Sequence, residues 1–162
     1  MPKRTTIIII ILTIGSVLAQ VSFLNYFAIF GIKPDLALAL VVFFSFFSET
    51  LTAFLIALFV GMACDIFSGG SFGLNIFVFL CIFLVIQINK KIINTQDKWT
   101  LFLVSFGVFI LSYTLYYLFA RIDIELPGFY LTFKNLIIPA ALYALIPFYI
   151  LYFTIGKPLK MI

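Results

Sequence analysis

Between Ile7 and Ile88 the chain carries only Lys33, Asp35, Glu49 and Asp65 as charged residues, in a stretch that is otherwise dominated by apolar side chains. That single feature removes nearly every water-soluble fold. Soluble domains are roughly 45–50% apolar and about 25% charged. Here 65% of the 162 residues are hydrophobic and 10% are charged, with a mean hydropathy of +1.27. The excess apolar surface must face lipid, so the chain reads as an integral membrane protein. About 20 apolar residues span a bilayer core. Six spans would therefore use roughly 120 residues and leave only short turns, which predicts one transmembrane domain over residues 1–162.

The apolar runs divide as follows. Lys3 and Arg4 precede a stretch from Ile7 to about Phe27. Val17-Leu18-Ala19 resembles a signal-peptide cleavage site, but apolar character continues through Phe23, Leu24 and Phe27 and favours an uncleaved anchor. A turn at Gly31–Pro34 leads to a second run, Leu36–Phe47, and Glu49 separates it from a third, Leu51–Phe67. The Ser68–Ser71 turn opens the fourth, Phe72–Ile88. A polar segment, Asn89–Thr100, precedes the fifth run, Leu101–Ala120, and the turn Arg121–Gly128 precedes the sixth, Leu131 to about Ile155. Pro139 and Pro147 are expected to distort the sixth helix. The fold class is all-α, a polytopic bundle of about six transmembrane helices.

Basic residues set the orientation, because cytoplasmic flanks collect Lys and Arg. Six spans place Lys3, Arg4, Lys90, Lys91, Lys98, Lys157 and Lys160 on one side and Lys33, Arg121 and Lys134 on the other. The richer side predicts cytoplasmic termini. Treating Leu36–Phe47 and Leu51–Phe67 as one span reverses the balance and fails. A twelve-residue helix is only about 18 Å long against a core of about 30 Å. The second and third runs therefore form either two spans or a hairpin that dips in without crossing, and charge does not separate these. Trp99, Tyr149 and Tyr152 suit the inner interface, and Tyr113, Tyr116, Tyr117 and Tyr130 suit the outer one with wet hydroxyls.

The third run holds the most informative pattern. Ala53, Ala57, Gly61 and Asp65 recur at steps of four and line one helix stripe. Small residues at that spacing let another helix approach closely, which matters where packing replaces the hydrophobic effect. The stripe reads first as an internal seam and second as a partner-binding one. Asp65 ends it. A carboxylate in a membrane helix costs roughly 2.5–3.5 kcal/mol at the centre and often marks function. Near the helix end it reads instead as structural, wetted by solvent or satisfied by N–H groups of the Ser68–Ser71 turn. Asp35, after Pro34, is placed to cap the following helix. Asp35 and Asp65 fall on the same face of a hairpin, where a shared polar site is conceivable.

Catalysis finds no foothold. The chain has no His, no phosphate-cradling Gly-rich loop and no paired carboxylates at mid-span, so neither an enzyme nor a cofactor is expected. Cys64 and Cys81 sit in apolar runs and read as packing residues, with neither a disulfide framework nor a metal site indicated. Few and scattered basic residues argue against nucleic acid. Asn89–Thr100, with its three Lys and Trp99, reads as ordinary anchoring to the lipid bilayer before it reads as a lipid- or partner-specific contact.

Pro34-Asp35-Leu36, Gly61-x-x-x-Asp65, Ser68-Gly69-Gly70 and Gly73-Leu74 together resemble the rod-shape-determining membrane protein MreD family over about residues 31–88. The order of elements, the length and the basic segment between the fourth and fifth helices also fit. The resemblance implies a non-enzymatic component of the cell-elongation machinery in the bacterial inner membrane. It implies an MreC-like single-pass partner, with an MreB-type filament and peptidoglycan synthases alongside. It also implies a fold similar to the six-helix substrate-binding subunits of energy-coupling-factor transporters. Carried onto this chain, Pro34, Asp35, Gly61, Asp65 and Gly73 become positions of a structural or partner-binding face, with Ala53, Ala57, Gly69 and Gly70 beside them. The alternative is a vitamin-binding subunit of such a transporter, which shares size and helix count and differs in having a polar, aromatic ligand pocket under the outer loops.

Overall fold

The computed structural model describes residues 34–68, 73–92, 97–123 and 129–156, together with Gly15. The expected first helix, Lys33 and the glycines Gly69 and Gly70 lie outside the described residues. Five helices make up the rest. Helix α1 is Leu36–Phe47, α2 is Thr50–Ser68, α3 is Leu74–Asn89 and α4 is Lys98–Asp123. The last, α5, is one interrupted rod of Phe129–Thr132, Phe133–Ile137, Ile138–Leu151 and Tyr152–Gly156, whose second and fourth parts are π-helical. The first π turn ends just before Pro139. Proline lacks an N–H and its ring crowds the carbonyl four residues back, and widening the turn relieves that crowding.

Among the described residues three helices are long and apolar enough to cross a membrane, Thr50–Phe67, Lys98–Phe119 and Tyr130–Thr154. Two are shorter. Helix α3 has 16 residues and α1 has 12, which at 1.5 Å per residue makes α1 about 18 Å long. Its ends are fixed: Asp35 caps the start, and at Ser48 the chain turns extended into the corner that begins α2.

The shortest helix is the most enclosed. Every residue from Ala37 to Phe46 is buried. Its sequence, LALALVVFFSFF, has no polar face and would suit lipid or a protein interior alike, and it is the neighbouring helices that cover it. It packs on α2, α3 and α5, while α4 closes the other side against α3 and α5. An aromatic seam joins α1 to α5: Phe43 and Phe46 meet Phe148 at centroid distances of 6.4 and 6.3 Å, and Phe47 meets Tyr152 at 5.8 Å. Outward, Leu51, Phe59, Ile66, Leu103, Leu118, Ile146 and Ile150 are exposed, as a lipid-facing surface requires. Since lipid is as apolar as these side chains, close packing and satisfied polar groups must hold the helices together. Ser45, Ser105 and Ser112 meet that demand locally, each donating its hydroxyl to a carbonyl one turn back.

Candidate functional site

Polar side chains that join one helix to another stand at both ends of α3. At its start, Gly73 is the N-cap residue, with φ of +96° and no side chain to cap with. A left-handed backbone there suits glycine, but it leaves the first N–H groups of α3 without the usual partner. Asp65, from the last turns of α2, supplies it. One carboxylate oxygen accepts from the Asn75 N–H and the Asn75 side-chain amide, both at 2.9 Å. The other accepts from the N–H groups of Gly73 at 3.0 Å and Ile76 at 3.2 Å. Asn75 and Ile76 occupy the positions that an N-cap side chain normally serves. Asp65 is thus an N-cap delivered from the neighbouring helix, and it stands where the positive end of the α3 dipole favours an anion.

Close approach makes this possible. A Cβ built on Gly61 would lie 2.7 Å from Ile76 Cα and 3.0 Å from Ile76 N. Backbone, not a flexible side chain, fills that space, so only glycine lets α2 and α3 touch at this level. Asp65 lies one helical turn further on, level with the start of α3. Ala53 and Ala57 are buried, as are Gly61 and Asp65, with Asp65 only 3% exposed. The whole stripe is turned into the fold. Asn75 extends the network, because its side-chain oxygen accepts the Tyr116 hydroxyl of α4 at 2.6 Å. Asp65 therefore joins α2 to α3 directly, and Asn75 relays the network to α4.

Asp35 joins the same layer. It caps α1 through the Leu38 N–H at 2.9 Å, with Pro34 buried beside it. It also lies within electrostatic reach of Cys64, Tyr113 and Tyr116, and Asp65 within reach of Cys64 and Tyr116. The structure thus brings Asp35 and Asp65 to one end of the bundle, each engaged with backbone N–H groups. Among the described residues, the N–H groups that meet Asp65 belong to Gly73, Asn75 and Ile76, while Gly69, Gly70 and Ser71 of the expected turn lie outside the described residues. One expectation is corrected here. Tyr113 and Tyr116 do not keep their hydroxyls wet: they sit one turn apart on the inner face of α4, where Tyr116 bonds Asn75 and the Tyr113 hydroxyl is buried with no partner among the described residues. Tyr130 is 74% exposed.

At the other end of α3, Gln87 and Lys90 reach back to the end of α1. The Gln87 side-chain amide donates to the Ser45 carbonyl at 3.0 Å and accepts from the Thr50 hydroxyl at 3.2 Å. Lys90 Nζ donates to the Ser48 carbonyl at 2.6 Å. Those carbonyls are the unpaired acceptors of a helix C-terminus, where a cation also complements the dipole. Burial pulls the Lys90 ammonium below its ordinary value. Nearby in sequence, Asp97 caps α4: its carboxylate accepts from the Thr100 hydroxyl at 2.6 Å and N–H at 3.2 Å. Those bonds, the hydroxyl first, hold Asp97 below the ordinary carboxylate range.

Sequence reasoning missed Asn75, Tyr116, Gln87 and Lys90 as joints of the fold. Asn75 and Gln87 carried a signal, since each is a lone amide near the end of an apolar helix. Lys90 did not, because a flanking lysine already has an explanation. Among the described residues no group of three or more His, Cys, Asp or Glu side chains is placed to hold a metal ion. Cys64 and Cys81 are free thiols.

A family model described as rod shape-determining protein MreD matches residues 3–162. No curated protein and no solved structure matches the chain.

Proposed function

The chain belongs to the MreD family of rod shape-determining proteins, and from that membership we propose that it is a non-enzymatic scaffold of the bacterial cell-elongation complex. The carrying observation is the extent of the family match, residues 3–162 of 162. In this proposal the protein lies in the inner membrane with both termini cytoplasmic. It regulates lateral peptidoglycan synthesis through helix contacts with an MreC-like single-pass partner, alongside an MreB-type filament and the peptidoglycan synthases. The geometry supports a scaffold in one respect. Asp65, the most buried carboxylate among the described residues, accepts four hydrogen bonds from α3 and so serves to fix the helix pair. The small-residue stripe is turned inward, so we place partner contacts on the outer apolar faces of α2 and α5.

Depletion in a rod-shaped host is expected to give rounded cells, and affinity purification is expected to bring down an MreC-like protein. Normal rods after clean deletion, in a strain with no second copy, would overturn the proposal. Topology reporters fused after Lys91 and after Lys160 should both report cytoplasm, and a periplasmic signal at either would refute the orientation.

A further inference from the structure

The flank between α3 and α4 carries two features that neither the end-to-end joints nor the family accounts for. The first is a half-open groove of about 230 Å³ lined by Val85, Ile86, Val104 and Val108, with Asn89 at one end. The second is the rim. Asn89 is followed at once by Lys90, Lys91 and Ile92, and α4 begins with Lys98 and Trp99. Ile92 is 84% exposed and Trp99 77% exposed, and Lys91 and Lys98 are exposed too.

Charge at this rim is one-sided in effect. Asp97 is turned into the first turn of α4 and bonded to Thr100. Glu49, exposed at the corner between α1 and α2, is the other described carboxylate at this end. Among the described residues no carboxylate pairs with Lys91 or Lys98, and Lys90 has donors left beyond its bond to Ser48. At about 230 Å³ the groove has room for side-chain-sized or acyl groups and not for the body of a helix, which is about 10–12 Å across. A chain of methylenes runs along such a volume.

We propose that the α3–α4 flank is a binding site for an anionic phospholipid, with one acyl chain along Val85, Ile86, Val104 and Val108 and the phosphate at Lys91 and Lys98. Trp99 sits at headgroup level, as an amphipathic ring does. The proposal rests on the helices lying in a bilayer and is independent of the role in cell shape, so either can fail alone.

Trp99 is the sole tryptophan of the chain, and its fluorescence reads the lipid beside it. The full-length protein is reconstituted in vesicles containing acyl-brominated phosphatidylglycerol or acyl-brominated phosphatidylcholine at equal mole fraction. The anionic lipid is expected to quench with the higher relative association constant, by up to about fivefold per lysine engaged. Lys91→Gln with Lys98→Gln should bring that ratio close to one. Val104→Phe enlarges a side chain that lines the groove and should lower the ratio with both lysines present. Equal quenching by the two lipids in the native chain would overturn the site. So would a ratio that falls with the lysine substitutions but ignores Val104→Phe, since that is surface attraction without a groove.

Discussion

Both ends of α3 are tied to the preceding hairpin, but by different physics. At the start, a carboxylate from α2 accepts four hydrogen bonds, three of them from main-chain N–H groups, and is 3% exposed. At the far end, an ammonium on a flexible stem makes one bond to a main-chain carbonyl and remains half-exposed, with Gln87 beside it. The carboxylate was taken out of water and must be repaid in full by fixed partners. The lysine keeps water within reach and can exchange one partner for another. Fixed geometry therefore belongs to the Asp65 end and tolerance to the Lys90 end, although both address the same element.

The largest test of that contrast is Asp65→Ala. It strips the acceptor from four donors, and thermal unfolding in detergent should show a loss of roughly 3–5 kcal/mol. A loss below about 1 kcal/mol, the scale of an exposed pair, would erase the distinction between the two ends. Gly61→Ala probes the same end through space alone. Its Cβ would press on Ile76 main-chain atoms, and separating the helices should cost about 2 kcal/mol. The Asn75–Tyr116 hydrogen bond should weaken with it, visible as faster exchange of the α3 amides.

Lys90→Met keeps the stem and removes the charge. It should lower stability by no more than about 1 kcal/mol, because water screens a half-exposed ammonium. A larger loss would move Lys90 into the class of Asp65. The smallest effect concerns Asp97, whose cap on α4 is exposed. Its carboxyl is held below the ordinary value of 3.8, so its contribution is present above that value and fades as pH falls through the lower folded one. Asp97→Asn should flatten this acid limb, read as amide exchange at Trp99 and Thr100, with no change at Asp65.

The helices themselves were legible. Leu36–Phe47 is both the apolar run and α1, because Asp35 and Ser48 punctuate it on either side. The other described runs match within a few residues, and α4 extends beyond its apolar stretch to Lys98 because Asp97 caps it. Gly61 and Asp65 stood out by spacing, yet spacing could not say that Ile76 presses on one and Asn75 on the other. Such contacts join residues on different helices, and hydropathy carries no information about which helix faces which. The burial of α1 was not legible, since a helix without a polar face suits lipid as well as a protein interior. Nor was the inward turn of Tyr113 and Tyr116, since a tyrosine near a helix end suits an interface equally well.

A cap lent by one helix to the next also bears on how the chain is made. Gly73 gives α3 no means of closing its own first turn, so α3 threaded into lipid alone would present open N–H groups to hydrocarbon. Asp65, synthesised just before, would likewise cross as an uncompensated ion. Each becomes tolerable only beside the other. The pair should therefore leave the insertion machinery together, as a hairpin already zipped at its turn, and α1 would be enclosed only after that.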